Sequence, residues 1–176
     1  MSDKKDILSH LEKFKNKVVS EAKNNIAKQN STGNLQKSIR GDVKVSKNSL
    51  EIVFKMNSYG FFQDKGVKGV KGGESLEDYK YTDKKPPASA FSQWAIKKFP
   101  EQTRNAKGQF VSRKSLQFAL ANHIYNYGIK PTMFFTKPFE KYYKKLPDEL
   151  VTKYGLKVDE LLKKVLDDNI KDIKDN

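Results

Sequence analysis

The sequence predicts an α+β fold: a small antiparallel sheet with a long N-terminal helix, flanking helices and a C-terminal helical tail. Three observations carry that expectation. Apolar residues recur at steps of three and four from Ile7 to Ile26, the spacing of one helical face. Apolar and polar residues alternate on both sides of residues 46–49, the pattern of a half-buried hairpin. Further apolar residues at helical spacing lie between the breakers Pro86, Pro87, Pro100, Gly128 and Pro138. The 176 residues are 36% apolar and 11% aromatic, enough to build a core without disulfides or metals.

Asp3 is placed to cap the first helix, whose stripe is Ile7, Leu11, Phe14, Val18, Ala22 and Ile26 and which should reach about residue 28. The polar run at 29–33 ends it, and residues 34–39 read as a short helical turn. Val43 and Val45, then Leu50, Ile52 and Phe54, alternate as the two arms of a hairpin. Tyr59-Gly60-Phe61-Phe62-Gln63 reads as a second extended piece, and residues 65–87 as an inserted loop. Within that loop Gly66-Val67-Lys68-Gly69-Val70-Lys71-Gly72-Gly73 lacks the glycine-lysine-serine/threonine ending of a phosphate cradle. It reads instead as a flexible connector. A short helix from Ala88 carries Phe91, Trp94, Ala95 and Phe99 and stops at Pro100. After a loop at 105–109, a helix from Arg113 to Tyr127 meets Gly128, which is placed to end it. Met133-Phe134-Phe135 reads as a buried aromatic cluster, followed by a last body helix from Pro138 to Leu146.

The formal charge is +14, carried by three arginines and 32 lysines. Its distribution sets a boundary near Pro147. Residues 148–176 hold eight acids and six bases, so a body of residues 1–147 carries the whole excess. Residues 84–114 hold Lys84, Lys85, Lys97, Lys98, Arg104, Lys107, Arg113 and Lys114 against the single acid Glu101. These eight are the candidate contacts to phosphate or to an acidic partner. Scarce arginine argues against base-edge readout, which favours the planar guanidinium. Lysine excess with twelve asparagines is also what an A/T-rich coding sequence produces, so a solvated surface stays open as the alternative. Trp94 and Phe91 beside Lys97 and Lys98 allow a stacking platform for single strands, or else a core or interface anchor, which their helical spacing favours.

Chemistry is hard to assemble from the remaining residues. There is no cysteine, and His10 and His123 are far apart without a serine-aspartate arrangement near either. Adjacent acids such as Glu77/Asp78 and Asp167/Asp168 diverge by about 100° on a helix and read as solvated charges. No calcium-loop pattern occurs. No run approaches the roughly 18 apolar residues of a membrane span, and the charged N-terminus shows no signal-peptide core. The expectation is a protein that is not an enzyme, needs no cofactor or metal, and does not engage a membrane. The tail from Leu150 to Ile173 carries a wide apolar face, which must pack on the body, on another copy or on a partner.

Several short motifs occur in an order that resembles the tail-completion (neck, head–tail joining) proteins of tailed bacteriophages. They are Thr32-Gly33-Asn34-Leu35-Gln36-Lys37-Ser38-Ile39, then Tyr59-Gly60-Phe61-Phe62-Gln63-Asp64-Lys65-Gly66. Pro86-Pro87 with Trp94 and Arg113-Lys114-Ser115-Leu116-Gln117-Phe118-Ala119-Leu120 follow, and Gly128-Ile129-Lys130-Pro131-Thr132-Met133-Phe134-Phe135 precedes the Pro138 helix. The resemblance covers about residues 5–145. It implies a virion protein assembled in the host cytoplasm, a ring of six or twelve copies around the DNA channel, with neck, portal or tail proteins as neighbours and no catalytic residues. In that setting Phe61, Phe62, Phe91, Trp94, Phe134, Phe135, Leu161 and Val165 are the candidate subunit or partner contacts. A ring that lets DNA slide should not line its channel with so many lysines, so most are expected to face outward or to meet acidic neighbours. The alternative is a basic protein that binds DNA without sequence preference through the 84–114 segment.

Overall fold

Leu11, Phe14, Val18, Ala22 and Ile26 line one face of the first helix, α1 (Ser2–Ala27), and all five are buried. The helix starts ahead of Asp3, which falls inside the first turn and not at the cap. The computed structural model describes residues 2–27, 33–45, 50–99 and 103–148. The expected helix stop at 29–32, the hairpin turn at 46–49, Pro100 and the tail from residue 149, with Leu161 and Val165, lie outside the described residues. By its contacts the chain divides into two compact units, Met1–Asp64 with Met133–Asn176, and Lys65–Thr132.

Unit one is mixed α+β. Gly33, in the left-handed region at φ 76°, leads into α2 (Asn34–Ser38), which seals Leu35 and Ile39 against the α1 stripe. Strands β1 (Arg40–Val45) and β2 (Leu50–Lys55) pair antiparallel, with Arg40 opposite Lys55 and Val45 opposite Leu50. Alternation puts Phe54 in the core and leaves Lys44 and Glu51 exposed. Phe54 meets Phe14 and Phe135 edge to face, at ring centroid distances of 6.2 and 5.3 Å. Phe139 adds a further edge-to-face contact with Phe14 at 5.4 Å.

Tyr59-Gly60-Phe61-Phe62-Gln63, expected to be extended, is helical and forms most of α3 (Tyr59–Lys65). Burial decides it: Gly60, Phe61 and Asp64 are the buried residues, a helical and not an alternating set. The last helix, α6 (Thr136–Tyr143), starts two residues before Pro138, so Pro138 sits in the first turn, where its missing N–H costs nothing. It ends at Tyr143, three residues short of the expected Leu146.

Asp64 joins α3 to α6. Its side chain is fully buried and its Oδ1 accepts the backbone N–H of Phe135 at 2.7 Å and of Thr136 at 3.2 Å. Its Oδ2 accepts the Thr136 hydroxyl. The first N–H groups of a helix have no partner within the helix, and α6 has no local side-chain cap. Asp64 supplies that cap from 71 and 72 residues away. The Asp64 carbonyl also accepts the N–H of Met133, which is held at a positive φ of 51°. One residue thus fixes both where the chain leaves unit one and where it returns.

Nearer the surface, Glu21 of α1 accepts from Lys141 Nζ at 2.9 and 2.7 Å and from the Tyr142 hydroxyl at 2.6 Å. The bonds from Lys141 and Tyr142 hold the Glu21 carboxyl below its ordinary range, and the same carboxylate raises Lys141 and Tyr142.

Unit two is helical. A 3₁₀ turn (Ala88–Phe91) runs into α4 (Ser92–Lys98), which packs on α5 (Arg113–Tyr127). Ala95 and Ala121 are buried, small side chains that let the helices approach closely. The expected limits of α5 hold: Ser112 Oγ accepts the Ser115 N–H at 3.1 Å, and Gly128 ends the helix at φ 78°.

Replacing Asp64 with alanine strands two backbone donors and a hydroxyl, and should lower unfolding free energy by about 3 kcal/mol or more in denaturant titrations. Asp64→Asn keeps one acceptor oxygen and should lose about half as much. Glu21→Gln should show a pH signature. A depressed carboxyl stabilises the fold above its unfolded pKa, about 4.3. The gap in thermal midpoint between wild type and Glu21→Gln should therefore be widest near neutral pH and close as the pH falls through the folded-state value.

Candidate interaction surface

The candidate contacts do not form one surface. Phe61, Phe134 and Phe135 retain only 3%, 1% and 0% of their exposure and belong to the core of unit one. They are corrected from interface to core: a ring already packed on every side has nothing left to offer a partner. Phe62 is half-buried against the same core. Phe91 and Trp94 are half-buried in unit two, Trp94 edge to face with Phe99 at 6.0 Å. That contact ties Trp94 to the residue just past the end of α4 and weakens its use as a stacking platform.

The basic candidates divide by what holds them. Lys84, Lys85, Lys97, Arg104, Lys107, Arg113 and Lys114 are exposed. The side chain of Lys98 lies outside the described set. Lys85 donates to the Asn122 side chain and lies 5.5 Å from the Tyr125 ring centroid, so it braces α5. Arg104 sits on a tight hairpin. Asn105 N–H donates to Gln109 O at 2.9 Å, and Asn105 Oδ1 accepts the N–H groups of Lys107 and Gln109, each at 3.0 Å. Gly108 turns the chain at φ 74°. The Arg104 guanidinium lies 3.8 Å from the Phe110 ring centroid and donates to Gly108 O at 2.6 Å.

The glycine-rich segment is not a flexible connector. Val67 and Ile129 exchange both backbone hydrogen bonds, at 2.9 and 2.8 Å, and Lys68 bonds to Tyr79 and Tyr81 at 2.9 Å. Val70 N–H donates to Tyr125 O at 3.0 Å and Lys71 N–H to Asn126 O at 2.9 Å. Those carbonyls belong to the last turn of α5, where acceptors lack helical partners. The N–H groups that would face phosphate in a cradle are therefore spent capping a helix C-terminus. A Cβ on Gly69 would lie 2.2 Å from Asn126 O, which explains why glycine is needed there.

Large apolar side chains remain on the surface. Among the described residues, Val70, Leu76, Tyr79, Ile96, Phe110, Phe118 and Tyr127 of unit two are 37–59% exposed, against Leu8 and Tyr59 in unit one. Sequence reasoning placed Phe118 and Tyr127 on α5 but did not single them out. The signal was present: Leu116 and Leu120 share one face of the helix, and Phe118, about 200° round from Leu116, falls on the opposite one. His10 and His123 are exposed, and no group of three His, Asp or Glu among the described residues is arranged to hold a metal. No described helix is long and apolar enough to cross a membrane.

No family model matches this chain, and neither a curated protein nor a solved structure matches it significantly.

Substituting Gly69 with alanine should destabilise unit two by about 2 kcal/mol, because the added carbon overlaps a backbone carbonyl. The readout is denaturant unfolding followed by Trp94, the single tryptophan of the chain, which lies in this unit.

Proposed function

We propose that the chain is a structural virion protein of a tailed bacteriophage. In this reading it is a subunit of a homo-oligomeric ring of six or twelve copies at the neck or tail, joining the portal side of the head to the tail around the DNA channel. It works without catalysis or a cofactor, beside other neck, portal or tail proteins. The ordered motifs from residue 32 to residue 138 supply the virion part of the reading. The observation that carries the assembly part is the concentration of exposed large apolar side chains in unit two. A lone domain of this size gains nothing by exposing Val70, Leu76, Tyr79, Ile96, Phe118 and Tyr127, whereas a subunit buries them against its neighbours.

A ring subunit must be held by many small contacts and not by one deep pocket. Unit two suits that use, because its backbone is tied at both ends of α5 while its apolar side chains stay outside. The Ser112 cap fixes the start of the helix, and the glycine-rich segment fixes its end.

Light scattering of the purified chain should give a discrete species of six or twelve times 20.2 kDa. Phe118→Asp should shift that species to lower mass while changing the protomer's own unfolding free energy by no more than about 0.5 kcal/mol, as expected for an exposed position. A monomer at every concentration, or a Phe118→Asp protein with unchanged mass, would overturn the proposal.

A further inference from the structure

The loop between α4 and α5 presents a combination the ring reading does not use. Thr103 O accepts the Val111 N–H at 2.8 Å and Arg104 pairs with Phe110, so residues 103–111 form a closed hairpin rather than a loose connector. Phe110 is 59% exposed, the most exposed large apolar side chain among the described residues. An aromatic ring left in water is costly, and here it is held in place by the Arg104 guanidinium on its face. Arg104 uses one donor on Gly108 O, a neutral acceptor, so its charge and its other N–H groups are not consumed.

Three more cations follow within a few residues: Lys107 at the hairpin tip, and Arg113 and Lys114 in the first turn of α5, all exposed. No acidic residue lies between Glu101 and Glu140. Two cations in the first turn oppose the helix dipole, which favours negative charge at that end. Among the described residues no ion pair engages Arg104, Lys107, Arg113 or Lys114, so their charge is not neutralised there. A polyanion would neutralise it.

We infer that the Arg104–Phe110 hairpin and the start of α5 form a binding surface for single-stranded nucleic acid, with Phe110 stacking on a base and Arg104, Lys107, Arg113 and Lys114 contacting phosphates. Only an unpaired strand offers both features. In a duplex the bases are already stacked on one another, and a purely acidic polymer carries no flat ring to stack on Phe110. Stacking without a base-edge code makes the surface indifferent to sequence. The assignment does not depend on ring assembly and concerns one chain at a time.

The test is fluorescence anisotropy of the full-length protein with a labelled 20-nucleotide thymidine strand, across a salt series. Four phosphate contacts give a slope of log K against log salt near −2.8, at roughly −0.7 per contact for a single strand. Phe110→Ala should weaken binding roughly ten- to hundredfold with the slope retained, and Phe110→Tyr should bind like wild type. Lys107→Ala should make the slope shallower by about 0.7, whereas Lys44→Ala, on β1, should leave affinity and slope alone. The assignment is overturned if Phe110→Ala binds like wild type, or if Lys44→Ala loses as much as Lys107→Ala. It is equally overturned if a duplex of the same length binds as tightly, or if polyglutamate displaces the strand at equal charge.

Discussion

A carboxyl group with no exposure to solvent holds unit one together. The chain leaves this unit after Asp64 and returns at Met133, so α3 and α6 become neighbours only if the ends of a long excursion are brought together and kept there. Loop-closure entropy grows slowly with length, by about 0.6 kcal/mol per doubling, so a few strong bonds at the junction suffice. Asp64 provides them through both its side chain and its carbonyl. Everything downstream of this junction, including the placing of Phe135 and Phe139 among the rings of Phe14 and Phe54, relies on α6 starting where it does.

The same logic recurs in unit two with different parts. There the orphan groups are the carbonyls at the end of α5, and the donors come from the backbone of a glycine-rich segment. In both units a helix terminus is satisfied by residues distant in sequence. This is a general solution wherever a buried helix end lacks a local cap. Phe118 stays exposed on α5, and Phe110 stays exposed although the Arg104 guanidinium packs on its face, which is why both are informative about partners.

Local order determined how much could be read in advance. The stripe of α1, the alternation of the hairpin, and the Arg113 start and Gly128 stop of α5 depend on neighbours in sequence, and each is legible there. Four aromatic or glycine residues in a row at 59–62 resemble a buried strand, and that is where the extended reading departs from the helix α3. The spacing of Gly60, Phe61 and Asp64 is the helical clue, and it becomes visible only once burial is known. Asp64 itself looks like any solvated acid until its partners, some seventy residues later, are found. The sequence reads Phe134 and Phe135 both as a buried cluster and as interface candidates, and their burial keeps the first reading and removes the second. The basic run at 84–114 gave a region without a geometry. Contacts divide it: Arg104 packs on Phe110 in the hairpin turned by Asn105 and Gly108, whereas Lys85 is bound to α5.

Native-state hydrogen exchange at the Phe135 and Thr136 amides is the most direct probe of the Asp64 junction. If that buried carboxyl closes unit one, both amides should exchange as slowly as those of Val18 and Ala22 at the centre of α1, opening only when the unit unfolds. Exchange at the rate of a frayed helix end, with Val18 and Ala22 still protected, would show that α6 is held by something other than Asp64.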